Sequence, residues 1–270
     1  MKQKIILLID RLLTKNIYCS VGDIMLSGDA LDEGQLTVLS RYYDVSQYKK
    51  GDISFPFQNA LSRILWGESH DKDRGNKSFT NLIKSYDDAG YRKDSRIQLD
   101  KRASLMNGSH RVAMNIYYGY YEMAASVSWR AIHNHRNLDW YINNGLDGFF
   151  VDALIGVRNG VKEKLFRDGV TLAVVIQYQG ELLEQLKAWL NNNTTSYIIH
   201  FLSGETTHNA LIQFSLSNPS YQLNKGRLFS RAMPRFTRKL SKQVGVTVVD
   251  SASNCTDGMI LYQRYINRNL

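Results

Sequence analysis

The chain has 270 residues, 43% of them apolar, which is enough for one large or two small cores and excludes a mostly disordered protein. The 34 Lys and Arg against 25 Asp and Glu leave a formal charge of +9. That charge suits anionic partners such as nucleotides, nucleic acid, phosphorylated sugars or a membrane surface, without choosing among them. Two distant cysteines, Cys19 and Cys255, exclude a disulfide framework and a cysteine-rich zinc site and fit reduced thiols in the cytoplasm.

In chain order, the first apolar stretch is Ile5-Ile6-Leu7-Leu8-Ile9, followed at once by Asp10 and Arg11. It is too short to span a bilayer and a weak signal-peptide core, so it is expected to be the buried face of a first helix or strand. Asp32 to Tyr43 is expected as a short helix, and Lys49-Lys50-Gly51-Asp52 as a turn. Phe79, Leu82, Ile83 and Tyr86 recur at helical spacing, with Asn76 or Ser78 as caps and Gly90 just past the end. Arg96 to Leu99 alternates as a strand, Asp100 to Ala103 turns, and Ser104 to Met106 is a second short strand. Asn107-Gly108 then leads into a helix from Ser109 to Tyr118 that Gly119 ends.

Leu138 to Phe166 is helical with a break at Asn143-Asn144-Gly145. Beyond Asp168-Gly169 the pattern changes. Thr171 to Ile176, Tyr197 to Leu202 and Val244 to Val249 are apolar strands, and Leu182 to Leu190 is an amphipathic helix. The expected class is α+β. Residues 1–136 form a first domain, 137–168 a helical connector, and 169–270 a small α/β C-terminal unit.

Asn107-Gly108-Ser109-His110-Arg111 carries the clearest chemistry. A glycine at a strand-to-helix turn lets backbone N–H groups approach a ligand. The helix that starts there offers unpaired N–H groups and the positive end of its dipole to an anion. Ser109 adds a hydroxyl that can also cap the helix, His110 a donor, and Arg111 a planar fork suited to phosphate. The competing reading is a capped helix with a surface arginine and a satisfied histidine.

The run Phe79 to Tyr91, then Ile97-Gln98-Leu99-Asp100, then Leu105 to Ala113 resembles the ParB/sulfiredoxin superfamily over roughly residues 45–125. Members run helix, Gly, strand, turn, strand, and then a DGxHR-like motif that opens a helix and binds nucleotide phosphates. They include CTP-binding partition proteins, ATP-using sulfiredoxins and free-serine kinases. The NGSHR form followed by Tyr117-Tyr118-Gly119 looks most like ParB-like proteins of bacterial surface-polysaccharide gene sets. The resemblance implies a ParB/sulfiredoxin-like nucleotide-binding domain over residues 1–136. Asn107 stands where kinase-like members carry Asp, which removes a carboxylate able to bind Mg²⁺ or act as a base. No cysteine lies near residue 107, which argues against sulfiredoxin activity.

Serine-kinase members place a catalytic carboxylate just before the helix that corresponds to the one at Phe79. Within Glu68-Ser69-His70-Asp71-Lys72-Asp73-Arg74, Glu68 is the first candidate and Asp71 the second, and a solvated charged loop is the plainer alternative. His133-Asn134-His135 has metal-ligand spacing on a strand but no third ligand nearby, so a surface turn is expected and no metal site. Lys225 to Lys242 holds seven basic residues and no acid, with Pro234 expected to divide it into two helices. It offers a basic face for phosphate, nucleic acid or acidic membrane, or simply a solvated one.

These features lead to the expectation of a cytoplasmic, nucleotide-dependent phosphotransferase. It would use ATP or another nucleoside triphosphate, with Mg²⁺, on a hydroxyl-bearing metabolite such as a sugar or polyol precursor. The alternative is a ParB-like protein that binds nucleotide and nucleic acid without catalysis.

Overall fold

A computed structural model describes residues 15–26, 31–67, 71–100, 104–128, 136–202, 208–216 and 232–266. The stretch at Ile5 to Ile9, Glu68, His133 to His135 and the first part of the basic segment lie outside the described residues. The protein is mixed α+β and divides into two compact units, each with its own four-stranded sheet.

The N-terminal unit holds strands β1 (Lys15–Ser20), β2 (Ile97–Leu99), β3 (Leu105–Asn107) and β4 (Glu122–Val127), in spatial order β1-β4-β2-β3. β1 is antiparallel to β4, β2 is parallel to β4 and antiparallel to β3, with an irregularity between Gln98 and Leu99. The helix α1 (Val21–Met25) follows β1 directly, and all of it after Val21 groups with the C-terminal unit. Next come α2 (Glu33–Tyr48), α3 (Pro56–Trp66), α4 (Lys72–Ala89) and α5 (Ser109–Tyr118). Val45, Phe55, Phe79, Ile83, Tyr86 and Met114 form one core cluster of this unit.

Two of these helices have bounds that differ from the sequence expectation. α2 runs five residues further than Tyr43. α4 starts at Lys72 because Asp71 caps it, its Oδ1 accepting from Arg74 N at 2.9 Å, whereas Asn76 and Ser78 lie inside the helix. Gly90 ends α4 at φ 67°, as its position suggested. α3 has no cap of its own. Phe55 sits at its start in a left-handed conformation, and the buried Asp44 of α2 accepts from Phe57 N at 3.1 Å and Gln58 N at 2.7 Å. This carboxylate supplies from a neighbouring helix what a local Ser or Asp would normally supply.

α6 (Leu138–Asn143) and α7 (Gly148–Arg167) flank the expected break at Asn144-Gly145, and α7 passes from one unit to the other after Val161. The C-terminal unit then holds β5 (Leu172–Tyr178), α8 (Leu183–Asn193), β6 (Ser196–Leu202), β7 (His208–Ser215), α9 (Ala232–Val244), β8 (Thr247–Ser251) and α10 (Cys255–Tyr265). Its sheet order is β6-β7-β5-β8, antiparallel at every pairing. The expected α/β unit is therefore an antiparallel α+β layer. The apolar run of β5 reflects burial of both faces, which periodicity cannot tell from a parallel sheet, whereas β6 and β8 leave Ile198, Phe201 and Val249 exposed.

On one face of that sheet Ala173, Val175 and Leu211 pack against Leu261 of α10. Gly258 permits this approach, since a Cβ there would lie 1.7 Å from the Thr171 carbonyl oxygen. Elsewhere in the sheet's packing the Phe214 and Phe236 rings stack at 4.3 Å. Pro234 sits in the first turn of α9, where a missing N–H costs nothing, as expected for the second helix of the basic segment; the part before Ala232 lies outside the described residues. Among the described residues no helix is long and apolar enough to cross a membrane.

Candidate functional site

The turn at Asn107-Gly108 forms as the sequence implies. Gly108 adopts φ 102°, and a Cβ there would lie 2.6 Å from Ile97 Cγ2, so both backbone conformation and space demand glycine. α5 starts immediately after it, without a side-chain cap. Ser109 is thus the first helical residue and not the cap, which leaves the first N–H groups of α5 without partners inside the helix. α5 is held in place from behind. Tyr86 OH donates to Asn115 Oδ1 at 2.8 Å, and Asp87 accepts from Lys49 and from Tyr118 OH.

A cavity of about 240 Å³ opens at this helix start. Asn107 and Ser109 line it from the β3–α5 turn, and Asp32, Glu33, Thr37 and Arg41 line it from α2 and its cap. Asp32 caps α2, its Oδ1 accepting from Gln35 N at 2.8 Å, and bridges through its backbone to Asn137 just ahead of α6. Gly34 allows the close packing of α2 on β3, because a Cβ there would be 3.0 Å from Leu105 Cβ. Two helix starts, of α2 and α5, therefore meet at one cavity wall.

The ionisable groups here are tuned by burial. Desolvation pushes the Asp32 carboxyl above its ordinary range, against the hydrogen bond from Gln35 N, and nearby Asp100 adds to the rise. Desolvation also raises Glu33, opposed by Arg136, whose Nη1 lies 3.8 Å from Glu33 Oε2. Arg41 is brought down to about 10 by desolvation, which outweighs the attraction of Asp44, so it stays a cation at neutral pH. Its guanidinium is fixed by donating to the Thr37 carbonyl at 2.8 Å and to His110 Nε2 at 3.0 Å. Asp44 is raised to about 7 by desolvation in spite of the two N–H groups it accepts.

The five residues of the NGSHR turn divide. Asn107 and Ser109 face the cavity, and Gly108 makes the turn. His110 and Arg111 are not among the cavity-lining residues. The His110 ring packs edge-on to Phe79 with centroids 4.5 Å apart, and its Nε2 meets Arg41 and the Gln58 side-chain oxygen, the latter at 2.6 Å. Desolvation first, then Arg41 and Arg111, lower its pKa well below the usual imidazole range, so the ring stays neutral. Arg111 donates to the Arg96 carbonyl. His110 thus holds Arg41, which lines the cavity.

Asp71 caps α4 and does not line the cavity, and Glu68 lies outside the described residues. The carboxylates that the fold brings to the turn are Asp32 and Glu33, about 75 positions earlier in the chain. Among the described residues no group of three or more His, Cys, Asp or Glu is placed to hold a metal. A Mg²⁺ that arrives with a nucleotide needs only one or two protein carboxylates, which Asp32 and Glu33 offer.

No protein-family model, curated protein or solved structure matches this chain.

Proposed function

We propose that the N-terminal unit is a nucleotide-dependent phosphotransferase, kinase-like in its chemistry, that acts on a hydroxyl-bearing metabolite. One observation carries this reading: a helix start, a fixed arginine and two carboxyls converge on a single cavity. Phosphoryl transfer demands little beyond positioning and charge neutralisation, and these groups supply both. The N–H groups opening α5, with Ser109 and Asn107, hold the donor's phosphates, and Arg41 neutralises charge that develops on the transferred group. Glu33 takes the proton from the acceptor hydroxyl as the new P–O bond forms and the nucleoside diphosphate leaves. Its raised pKa moves it toward the range in which a carboxylate is an effective general base. Following the resemblance, the acceptor belongs to surface-polysaccharide synthesis.

The alternative, nucleotide and nucleic-acid binding without catalysis, draws on α9. Arg235, Arg238, Lys239 and Lys242 are exposed on it, opposite the buried Met233, Phe236, Leu240 and Val244.

A nucleotide-consumption assay with a panel of sugars, polyols and free amino acids separates the two. Wild type is expected to consume nucleotide with at least one acceptor, and Glu33→Gln to cut turnover about 100-fold. Asp71→Asn is expected to keep most of the activity. Equal losses in Glu68→Gln or Asp71→Asn with an active Glu33→Gln would return the base to the segment before α4. Binding without consumption by any acceptor would favour the non-catalytic reading.

A further inference from the structure

The cavity is not polar throughout. Leu65 and Trp66 at the end of α3, with Leu105 and Met106 of β3, line it together with Asp32 and Glu33. Trp66 leaves 64% of its surface exposed and Met106 40%. A large indole so open to solvent, in the same cavity as two carboxyls, gives it an apolar surface together with strong hydrogen-bond acceptors.

Few ligands match both. A flat aliphatic group satisfies the indole but brings the carboxyls no donor, and the donor's phosphates belong against Arg41 and the opening of α5, not against the carboxyls. A polyhydroxylated ring has a face of C–H bonds, slightly positive, that packs on the negative face of an indole. Around its rim it has hydroxyls, which donate to carboxylates in charge-assisted bonds. Asp32 accepts from Gln35 N and is also bonded by the Gly34 N–H and the Ser104 side chain, and Arg136 stands 3.8 Å from Glu33. A carboxylate accepts about four hydrogen bonds, so a hydroxyl donor can still add to those on Asp32. The raised pKa of both carboxyls agrees with this, since desolvation outweighs the bonds they receive.

We propose that this cavity binds a polyhydroxylated ring, with its C–H face on Trp66 and its hydroxyls donating to Glu33 and Asp32. Two sources share that chemistry: a free monosaccharide as acceptor, or the ribose of the donor nucleotide. The inference rests on the phosphotransfer reading for what happens to the ring, whereas ring binding is tested with no nucleotide present.

The test is saturation-transfer NMR on the full chain with glucose, N-acetylglucosamine, ribose, adenosine and myo-inositol, followed by titration of whichever ligands respond. Wild type is expected to transfer saturation from aromatic protons to the C–H protons of at least one ring. Trp66→Ala should weaken that ligand about tenfold, and Trp66→Phe should retain part of the affinity. Glu33→Gln should weaken it about tenfold as well, since a neutral amide is a poorer acceptor. A response from hexoses identifies the acceptor, and a response confined to ribose and adenosine identifies the nucleotide's sugar. Silence from every ring, or contact unchanged in Trp66→Ala, overturns the proposal. If silence accompanies a wild type that still consumes nucleotide, the ring site alone fails. If rings bind through Trp66 but nucleotide is neither bound nor consumed, the phosphotransfer reading fails and the ring site stands.

Discussion

The two units offer cations to a partner in opposite ways. In the C-terminal unit, α9 presents four exposed basic side chains, each surrounded by water. In the N-terminal unit one arginine, Arg41, is desolvated and tied to Thr37 and His110 while it lines a cavity. The exposed set is larger, but each of its charges is screened by solvent and salt, and each side chain must be ordered on contact. Arg41 has given up that freedom on folding, so an anion entering the cavity would meet it already aligned. The chain's +9 charge is a sum that does not distinguish the two kinds and is a poor guide to where specific chemistry sits.

Substitutions in each unit test this contrast. The largest effect is expected at the turn that anchors the fixed site. Gly108→Ala places a Cβ against Ile97 and forces a left-handed backbone on alanine. It should cost about 2–4 kcal/mol in chemical denaturation. A loss under about 0.5 kcal/mol would mean that the turn adapts freely.

Next is the pH dependence set by the groups around Arg41. Asp44 rises from about 3.8 in the unfolded chain to about 7 in the fold, so between those values the folded state holds a proton that the unfolded chain has lost. Its contribution to stability is full below about pH 4 and is lost as pH rises toward 7. His110 acts oppositely, since its depressed pKa makes folding less favourable as pH falls below about 6.5. Asp44→Asn removes the first effect and leaves the second. The stability–pH slope between pH 4 and 7 should become more positive by up to about 1.4 kcal/mol per pH unit. Parallel curves for the two proteins, measured by denaturation at several pH values, would show that Asp44 is ionised throughout.

Smallest is the response of the exposed set. Reversing Arg235, Arg238, Lys239 and Lys242 to Glu should change stability by no more than about 0.5 kcal/mol per site. If α9 binds nucleic acid, the same variant should also flatten the salt dependence of binding, by about 0.9 in log–log slope for each phosphate that is no longer neutralised. A salt slope identical to wild type would leave α9 as a solvated face.

Much of the local structure was legible. Gly108 and Gly119 bracketed α5, Asn144-Gly145 marked the break between α6 and α7, and the apolar runs located β5 and β6. The site itself was only half legible. Asn107 and Ser109 could be picked out because their chemistry lies in one contiguous turn. Asp32, Glu33 and Arg41 could not, because they reach that turn only through the packing of α2 on α5 and β3. One signal was available: Arg41 falls between Val38 and Val45 on a stripe that is otherwise buried, where a charge requires a partner or a purpose. Asp44 lies on the same buried side, and nothing local reveals that it caps α3. Asp71 stands before a helix, where a carboxylate suits a cap as well as a base, and the fold gives it a capping bond.

The central claim is that the opening of α5 receives phosphate, and amide NMR tests it without any mutation. Labelled protein titrated with ATP and, separately, with adenosine should show its largest shifts at the Ser109 and His110 backbone amides and at Arg41 Nε, with ATP only. Shifts of equal size with adenosine, or ATP-induced shifts that leave Ser109, His110 and Arg41 unmoved, would contradict it.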